Sequence, residues 1–442
     1  MEVIHPKAAG IDVGSEQLHV AVAGGPVRVF DTFTSSLYAV RDHLLAHGVR
    51  TVAMEATGVY WLPIYEVLEA AGIEVYVVNG AHVKSLPGRK SDIADCQWLA
   101  TLHGCGLLRS GFVPEEAIRQ LRDYQRLRQD HVQMASAHIQ HMQKALDRMN
   151  LKIHEVLSDL MGASGMRVIR AILEGERDRE RLLALCDVQI VRKKAQRMRH
   201  ALHGHWKPEH LFALRQALQG WEFYQRQIVA CDAEIEAMLN ELAARTPPGP
   251  DGTSAPPLVH KRIHHNAPHI TDLKRLLVRI TGGHDLAALP AFTDYSILQL
   301  LAETGPTMSP WRTEKHFTAW LGLAPSCRQS GKRRRRERRF RNRAGRLFCV
   351  MARSLARSNT IALGGFYRRL RATRGAAIAN VATARKLAVL FYNTLRHGLT
   401  FVEHGLHAYE QHHRAQSLKR LQATARRFGM TLIPRPTATA NA

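Results

Sequence analysis

Long apolar runs are missing from this 442-residue chain. No stretch is long and apolar enough to cross a bilayer, and no secretory leader with a hydrophobic core and cleavage site is present. The expectation is a cytoplasmic, prokaryotic, nucleoid-associated protein with no membrane partner. Cysteine is scarce as well: six residues, Cys96, Cys105, Cys186, Cys231, Cys327 and Cys349, form no C-x-x-C pair and no repeated spacing. That excludes the common zinc patterns and a disulfide framework, and leaves these thiols as small buried hydrophobes. A G-x-x-x-x-G-K-[ST] loop is absent, so nothing points to nucleotide hydrolysis. Acids are outnumbered, 38 Asp and Glu against 62 Lys and Arg, for a formal net charge of +24. Such an excess repels itself unless a polyanion neutralises it, and nucleic acid is the natural partner.

What is present divides into an α/β part and an all-α part. Ala8 to Val13, His19 to Val22 and Val27 to Phe33 read as short strands, followed by a helix from Tyr38 to Ala46. Val49 to Ala56 predicts a fourth strand, Trp61 to Ala71 a helix and Glu74 to Asn79 a fifth strand. Three meandering strands followed by crossover units imply a mixed sheet flanked by helices over residues 1–112. From Glu115 to Leu160 apolar residues recur in steps of three and four, with polar breaks at Gln125 and Arg128, which predicts one long helix with a coiled-coil seam. A second seam runs from Trp221 to Leu242. The two seams can close on each other as an antiparallel hairpin or zip to another subunit, and a small helical subdomain is expected between them, within a region spanning 113–245. Thr246 to Pro257, T-P-P-G-P-D-G-T-S-A-P-P, opens a Pro/Gly-rich and basic linker (246–270). A mostly helical domain (271–400) and a basic helical tail (401–442) follow.

Four acids stand out in the amino-terminal part. Asp12 in A-G-I-D-V-G-S and Glu55 in V-A-M-E-A-T-G sit inside apolar strands, where an ionised carboxylate is costly without a cation or partner. Asp92 and Asp95 in K-S-D-I-A-D lie three apart at a helix start and share one face. Each acid alone reads equally as a cap, a turn residue or an ion-pair partner. As a set they suit one or two hard divalent ions, Mg2+ by default with Mn2+ permissible, acting on a phosphodiester. In the carboxy-terminal part, ten of the fifteen residues from Lys332 to Arg346 are basic: Lys332, Arg333, Arg334, Arg335, Arg336, Arg338, Arg339, Arg341, Arg343 and Arg346. Phosphates are the expected counter-charge. Ser330 and Gly331 immediately precede this run. Read without further context, Ser330 is a turn serine and the arginines are a generic nucleic-acid arm or a localisation signal.

The motifs G-I-D-V-G-S, M-E-A-T-G-V-Y-W and K-S-D-I-A-D-C-Q-W-L-A, in this order, resemble those of the DEDD insertion-sequence transposases. G-L-A-P-S-C-R-Q-S-G with its basic continuation and the central G-A-S-G…G-E stretch extend the resemblance from about residue 8 to 397. It implies a RuvC-like, ribonuclease-H-type sheet domain carrying Asp12, Glu55, Asp92 and Asp95, a coiled-coil region, and a carboxy-terminal transposase domain with a nucleophilic serine. By motif position that serine is Ser330, with Ser326 as the alternative. A structured non-coding bridge RNA that guides donor and target DNA is implied as a partner, and a homo-oligomer paired through the helical seams is expected. Two departures are visible. L-P-A-F-T-D at Leu289 to Asp294 replaces the P-G-[IV]-G hairpin often seen in the family, and residues 166–270 make the interval between Asp95 and Ser330 long.

With no nucleotide-binding loop, a recombinase has to conserve phosphodiester energy while strands exchange, and a phosphoserine link does so. Two other functions remain open on the sequence: a metal-dependent RuvC-like nuclease using water as nucleophile, and a non-catalytic nucleic-acid-binding protein.

Overall fold

A computed structural model describes residues 3–22, 24–78, 80, 92–247, 266–325, 327–330, 333–336, 340–398 and 405–433. The chain forms two compact units, Met1–Val113 and Pro114–Ala442.

The first unit is a five-stranded mixed sheet with helices on both faces. Strands β1 (Ala8–Val13), β2 (Gln17–Val22) and β3 (Arg28–Asp31) meander antiparallel; β4 (Thr51–Glu55) and β5 (Glu74–Val78) join parallel to β1, in the order β3-β2-β1-β4-β5. Alternation divides the strand residues between two layers. Ile11, Val13, Leu18, Val20, Val52 and Met54 pack with Leu37, Val40 and Leu44 of α1 (Thr34–Ala46) and Ile64, Tyr65 and Leu68 of α2 (Trp61–Ala70). The opposite face receives α3 (Asp92–Gly104), whose Cys96 and Ala100 pack on Ala21. His103 closes the far end of that layer. It is 1% exposed, its Nε2 lies 2.8 Å from the Thr51 hydroxyl, and its ring stacks on His5. Burial, reinforced by His5, holds this imidazole's pKa down to about 4, so it is neutral in the fold.

The second unit is mostly helical. The helix expected from Glu115 to Leu160 stops at Arg148: α4 is Glu116–Arg148, and Asn150 at φ 55 reverses the chain. Asn tolerates the left-handed region better than most residues, and the helix pattern alone does not show that it is used there. Ile153 and Val156 belong instead to the short α5 (Ile153–Val156). With α6 (Ala163–Glu174), α7 (Arg179–Ala184) and α8 (Val188–Ala201) it builds a subdomain around Leu151, Val168, Ile172, Leu182 and Met198. The chain then returns along α9 (Pro208–Arg245).

Of the two packings open to the seams, the antiparallel hairpin is formed. Arg128 meets Asp232, while His138 meets Tyr224 and lies over Gly220. A Cβ at Gly220 would stand 2.3 Å from the His138 ring. The polar break at Arg128 is a buried junction. Its Nε donates to Asp232 Oδ1 at 2.5 Å, and its Nη1 donates to the Asn266 carbonyl at 3.2 Å and the Tyr295 hydroxyl at 3.0 Å. Asp232 also accepts from the His269 backbone N–H at 3.0 Å. Desolvating this pair is tolerable because both charges find several partners.

Beyond the expected linker, of which 248–265 lie outside the described residues, the helices are α10 (Leu273–Ile280), α11 (Asp294–Thr304), α12 (Glu314–Trp320), α13 (Arg343–Leu355), α14 (Ala362–Arg374), α15 (Ala376–His397) and α16 (Gly405–Arg427). Phe292, Phe317, Phe348 and Phe391 form their aromatic centre. Ahead of α11, in the L-P-A-F-T-D segment, Ala291 takes φ 68 and Thr293 caps the helix in a reciprocal box with Ser296. Among the described residues a small sheet interrupts the helices, β6 (Cys327–Ser330) paired antiparallel with β7 (Arg333–Arg336).

Candidate metal centre

Three elements of the first unit bring acids together. Asp12 is on the α3 face of β1, since its neighbours Ile11 and Val13 point into the α1/α2 core. β1 and β4 are parallel with Ile11 opposite Met54, so the next residues along each strand, Asp12 and Glu55, stand side by side toward the carboxyl ends. Both are half-buried, whereas Asp92 and Asp95, in the first turn of α3, are exposed.

Gly10 sets how closely α3 approaches. A Cβ there would lie 2.3 Å from the Cys96 carbonyl and 2.5 Å from the Ala100 amide, both backbone atoms of α3. Only glycine lets the helix pack this closely on β1, two residues before Asp12. Gly80 acts similarly toward Glu55, whose Oε1 would be 1.9 Å from a Cβ at that position.

The acids feel one another. Burial pushes the Asp12 carboxyl above its ordinary range, and Asp92, Asp95 and Glu55 push it further, with His19 opposing. Carboxylates on β4 and in the first turn of α3 thus repel the charge on Asp12, which a cation would relieve. Burial also lifts the Cys96 thiol to about 11, with the Asp12 charge adding to it, so this cysteine is protonated at neutral pH and unsuited to ligation or redox chemistry.

Among the described residues, the grouping close enough to hold one ion takes in Asp12 and Asp92 but not Glu55 or Asp95, and it includes a residue that sequence reasoning missed. Oxygens of Asp12 and Asp92 and a ring nitrogen of His19 all lie within 4.8 Å of one another. His19 pairs directly with Asp12 across the β1–β2 ladder. The signal was available in the alternation of β2, where Leu18 and Val20 face the core and His19 faces the acids, but it needs the strand register to be read.

The other expected site residues lie in the second unit. Ser330 ends β6 and pairs with Arg333, the first residue of β7; Arg334, Arg335 and Arg336 continue that strand opposite Gln329, Arg328 and Cys327. Ser326, Lys332, Arg338 and Arg339 lie outside the described residues. Arg343 and Arg346 are exposed at the start of α13. Arg341 is half-buried and turns inward, its Nη1 donating to Cys349 Sγ at 3.9 Å.

Comparison with known proteins finds two family matches, the first running past the first unit through α4. Residues 9–151 match the DEDD transposase family of IS110 elements, and residues 283–368 match the transposase IS116/IS110/IS902 family. The chain carries both domains of an IS110-family transposase. No curated protein matches it significantly. The first match contains Asp12, Glu55, Asp92 and Asp95, and the second contains Ser330 and the basic run. The transposase is a DNA-acting protein of an insertion sequence, and metal dependence is usual among DEDD transposases. Hard carboxylate oxygens at the edge of its sheet fit a divalent cation. Among the described residues no helix is long and apolar enough to cross a membrane.

Proposed function

We propose that the transposase cuts and rejoins DNA through a covalent serine intermediate supported by divalent ions at the acidic centre. The observation that carries this reading is the convergence of Asp12, Glu55 and the first turn of α3 on one face of the sheet, inside the region matching the DEDD family. We read the domain as RuvC-like and Asp12, Glu55, Asp92 and Asp95 as ligands for Mg2+, with Mn2+ able to replace it. Bound ions would supply Lewis-acid stabilisation of the attacking and leaving oxygens.

The chain's own groups do the remainder. Ser330 Oγ loses its proton and forms a bond to phosphorus as the bridging P–O bond breaks; the released strand end takes up a proton as a hydroxyl. Attack by another strand's hydroxyl reverses these bond changes, which conserves the phosphodiester and needs no nucleotide. Arginines of the 332–346 run offset charge on the transferring phosphate and hold the flanking backbone. A non-coding guide RNA supplies the sequence choice, and the active species is a homo-oligomer.

A denaturing gel with labelled element-end DNA tests the mechanism. Wild type should yield a protein–DNA adduct, and Ser330→Ala and Asp12→Asn should not. Recombination by Ser330→Ala at the wild-type rate would exclude the serine route and favour a water-using nuclease. Cleavage that persists in chelator would exclude the metal role. Sequencing RNA that co-purifies with the protein tests the guide separately: a discrete element-derived species is expected, and random cellular RNA would refute it.

A further inference from the structure

The acidic centre contains a nitrogen donor that a set of four carboxylates does not include. His19 stands opposite Asp12 in the antiparallel β1–β2 register, half-buried on the α3 face of the sheet. Its position is fixed by backbone pairing on both sides, to Asp12 in β1 and to Val29 in β3. One ring nitrogen falls within 4.8 Å of oxygens from both Asp12 and Asp92. Ligands on a single ion with bonds of roughly 2.1 Å are at most about 4.2 Å apart. Side-chain adjustments of a few tenths of an ångström among the three, of which Asp92 is exposed in the first turn of α3, would close the set around one ion.

We infer that His19 is an inner-sphere ligand of the ion held by Asp12 and Asp92, giving that position a mixed nitrogen–oxygen donor set. The inference rests on the metal-centre reading above and deepens it. Carboxylate and water suit Mg2+ and Mn2+ alike, while imidazole nitrogen favours transition metals. A nitrogen ligand therefore biases this position toward Mn2+ over Mg2+. The neighbouring position, with Glu55 or Asp95, remains an all-oxygen site.

Binding, rather than turnover, tests this. Full-length protein is titrated with Mn2+ and followed by electron paramagnetic resonance, and pulsed spectra report nitrogen coordinated to the ion. Wild type should show directly bound 14N, and the coupling should disappear in His19→Ala, which assigns it among the 25 histidines. His19→Ala should weaken Mn2+ at least 10-fold, taking the range seen when metal-site support is lost as a floor. Mg2+ affinity should fall less, so the Mn2+ preference shrinks. Asp12→Asn serves as the reference. If Asp12→Asn abolishes Mn2+ binding while His19→Ala retains wild-type affinity and wild type lacks bound nitrogen, His19 is only an electrostatic neighbour and the inference is overturned. If Asp12→Asn also leaves binding unchanged, the metal-centre reading itself fails. Should His19→Ala not fold, absence of a nitrogen coupling in wild type still decides against the ligand.

Discussion

Removing the charge of Asp12 should stabilise the metal-free protein. The carboxylates of Asp12 and Asp92 approach within 4.8 Å, where two unit charges repel by ~0.9 kcal/mol in water and ~3.5 kcal/mol at an effective dielectric of about 20. Asp92 is exposed, which places the pair near the lower end, so Asp12→Asn should gain about 1 kcal/mol. For a domain of this size that is roughly a 4 °C rise in the melting transition of the first unit. The pH dependence has a definite sign. Asp12's folded pKa lies above its ordinary 3.8, so the folded state binds the proton more tightly than the unfolded chain. Stability from this group is complete below 3.8 and is lost as pH rises through the raised folded value. His103 works oppositely, losing stability as pH falls from 6.5 toward about 4. The difference between wild type and Asp12→Asn cancels that contribution. Adding Mn2+ should reverse the ranking, because an ion binding only the folded wild type stabilises it by about 2.7 kcal/mol at a hundred times its dissociation constant. Differential scanning fluorimetry in chelator and in excess Mn2+ reads all of this. An Asp12→Asn protein that melts below wild type in chelator, or a wild type indifferent to Mn2+, would refute the electrostatic reasoning.

Three further substitutions probe how the fold holds its sites. Gly10→Ala should force α3 away from β1, cost about 1–3 kcal/mol by overpacking, and weaken metal binding because Asp92 and Asp95 move with the helix; calorimetric titration that finds wild-type affinity would show that the close approach does not position them. Arg128→Ala should destabilise the second unit by about 3–5 kcal/mol by leaving Asp232 buried without its cation. Urea denaturation followed by circular dichroism measures this, and a loss under 1 kcal/mol would mean water replaces the arginine. Ala291→Gly should stabilise the same unit by up to about 1 kcal/mol, since a left-handed residue with a Cβ costs about 1–2 kcal/mol and glycine's extra chain entropy offsets part of the relief. A lower denaturation midpoint for this variant would show that Ala291 is unstrained.

Much of the first unit was legible because strand alternation is a strong signal. Apolar residues at 11, 13, 52 and 54 mark one face, and Asp12 and Glu55 necessarily take the other. Hairpin and crossover order follow from turn residues and segment lengths. The helix seams were legible for the same reason, yet their break was not: Ile153 and Val156 keep the helical spacing while Asn150 turns the chain back. Apolar periodicity reports that residues are buried, not against what. The β6–β7 hairpin was also hidden, because an arginine-rich run has no hydrophobic alternation to betray a strand.

By itself the sequence determined the acids, their alternation onto one face, the basic run and the excess of positive charge, since these depend on residue type and local period. Tertiary structure decided which residues meet. His19 joins Asp12 through strand register, and Gly10 admits α3 through a backbone approach of 2.3 Å for a Cβ that is not there. Arg128, a polar break in an apolar seam, finds Asp232 on a helix 104 positions later. Contacts of this kind are set by packing across the fold, and no local period encodes them.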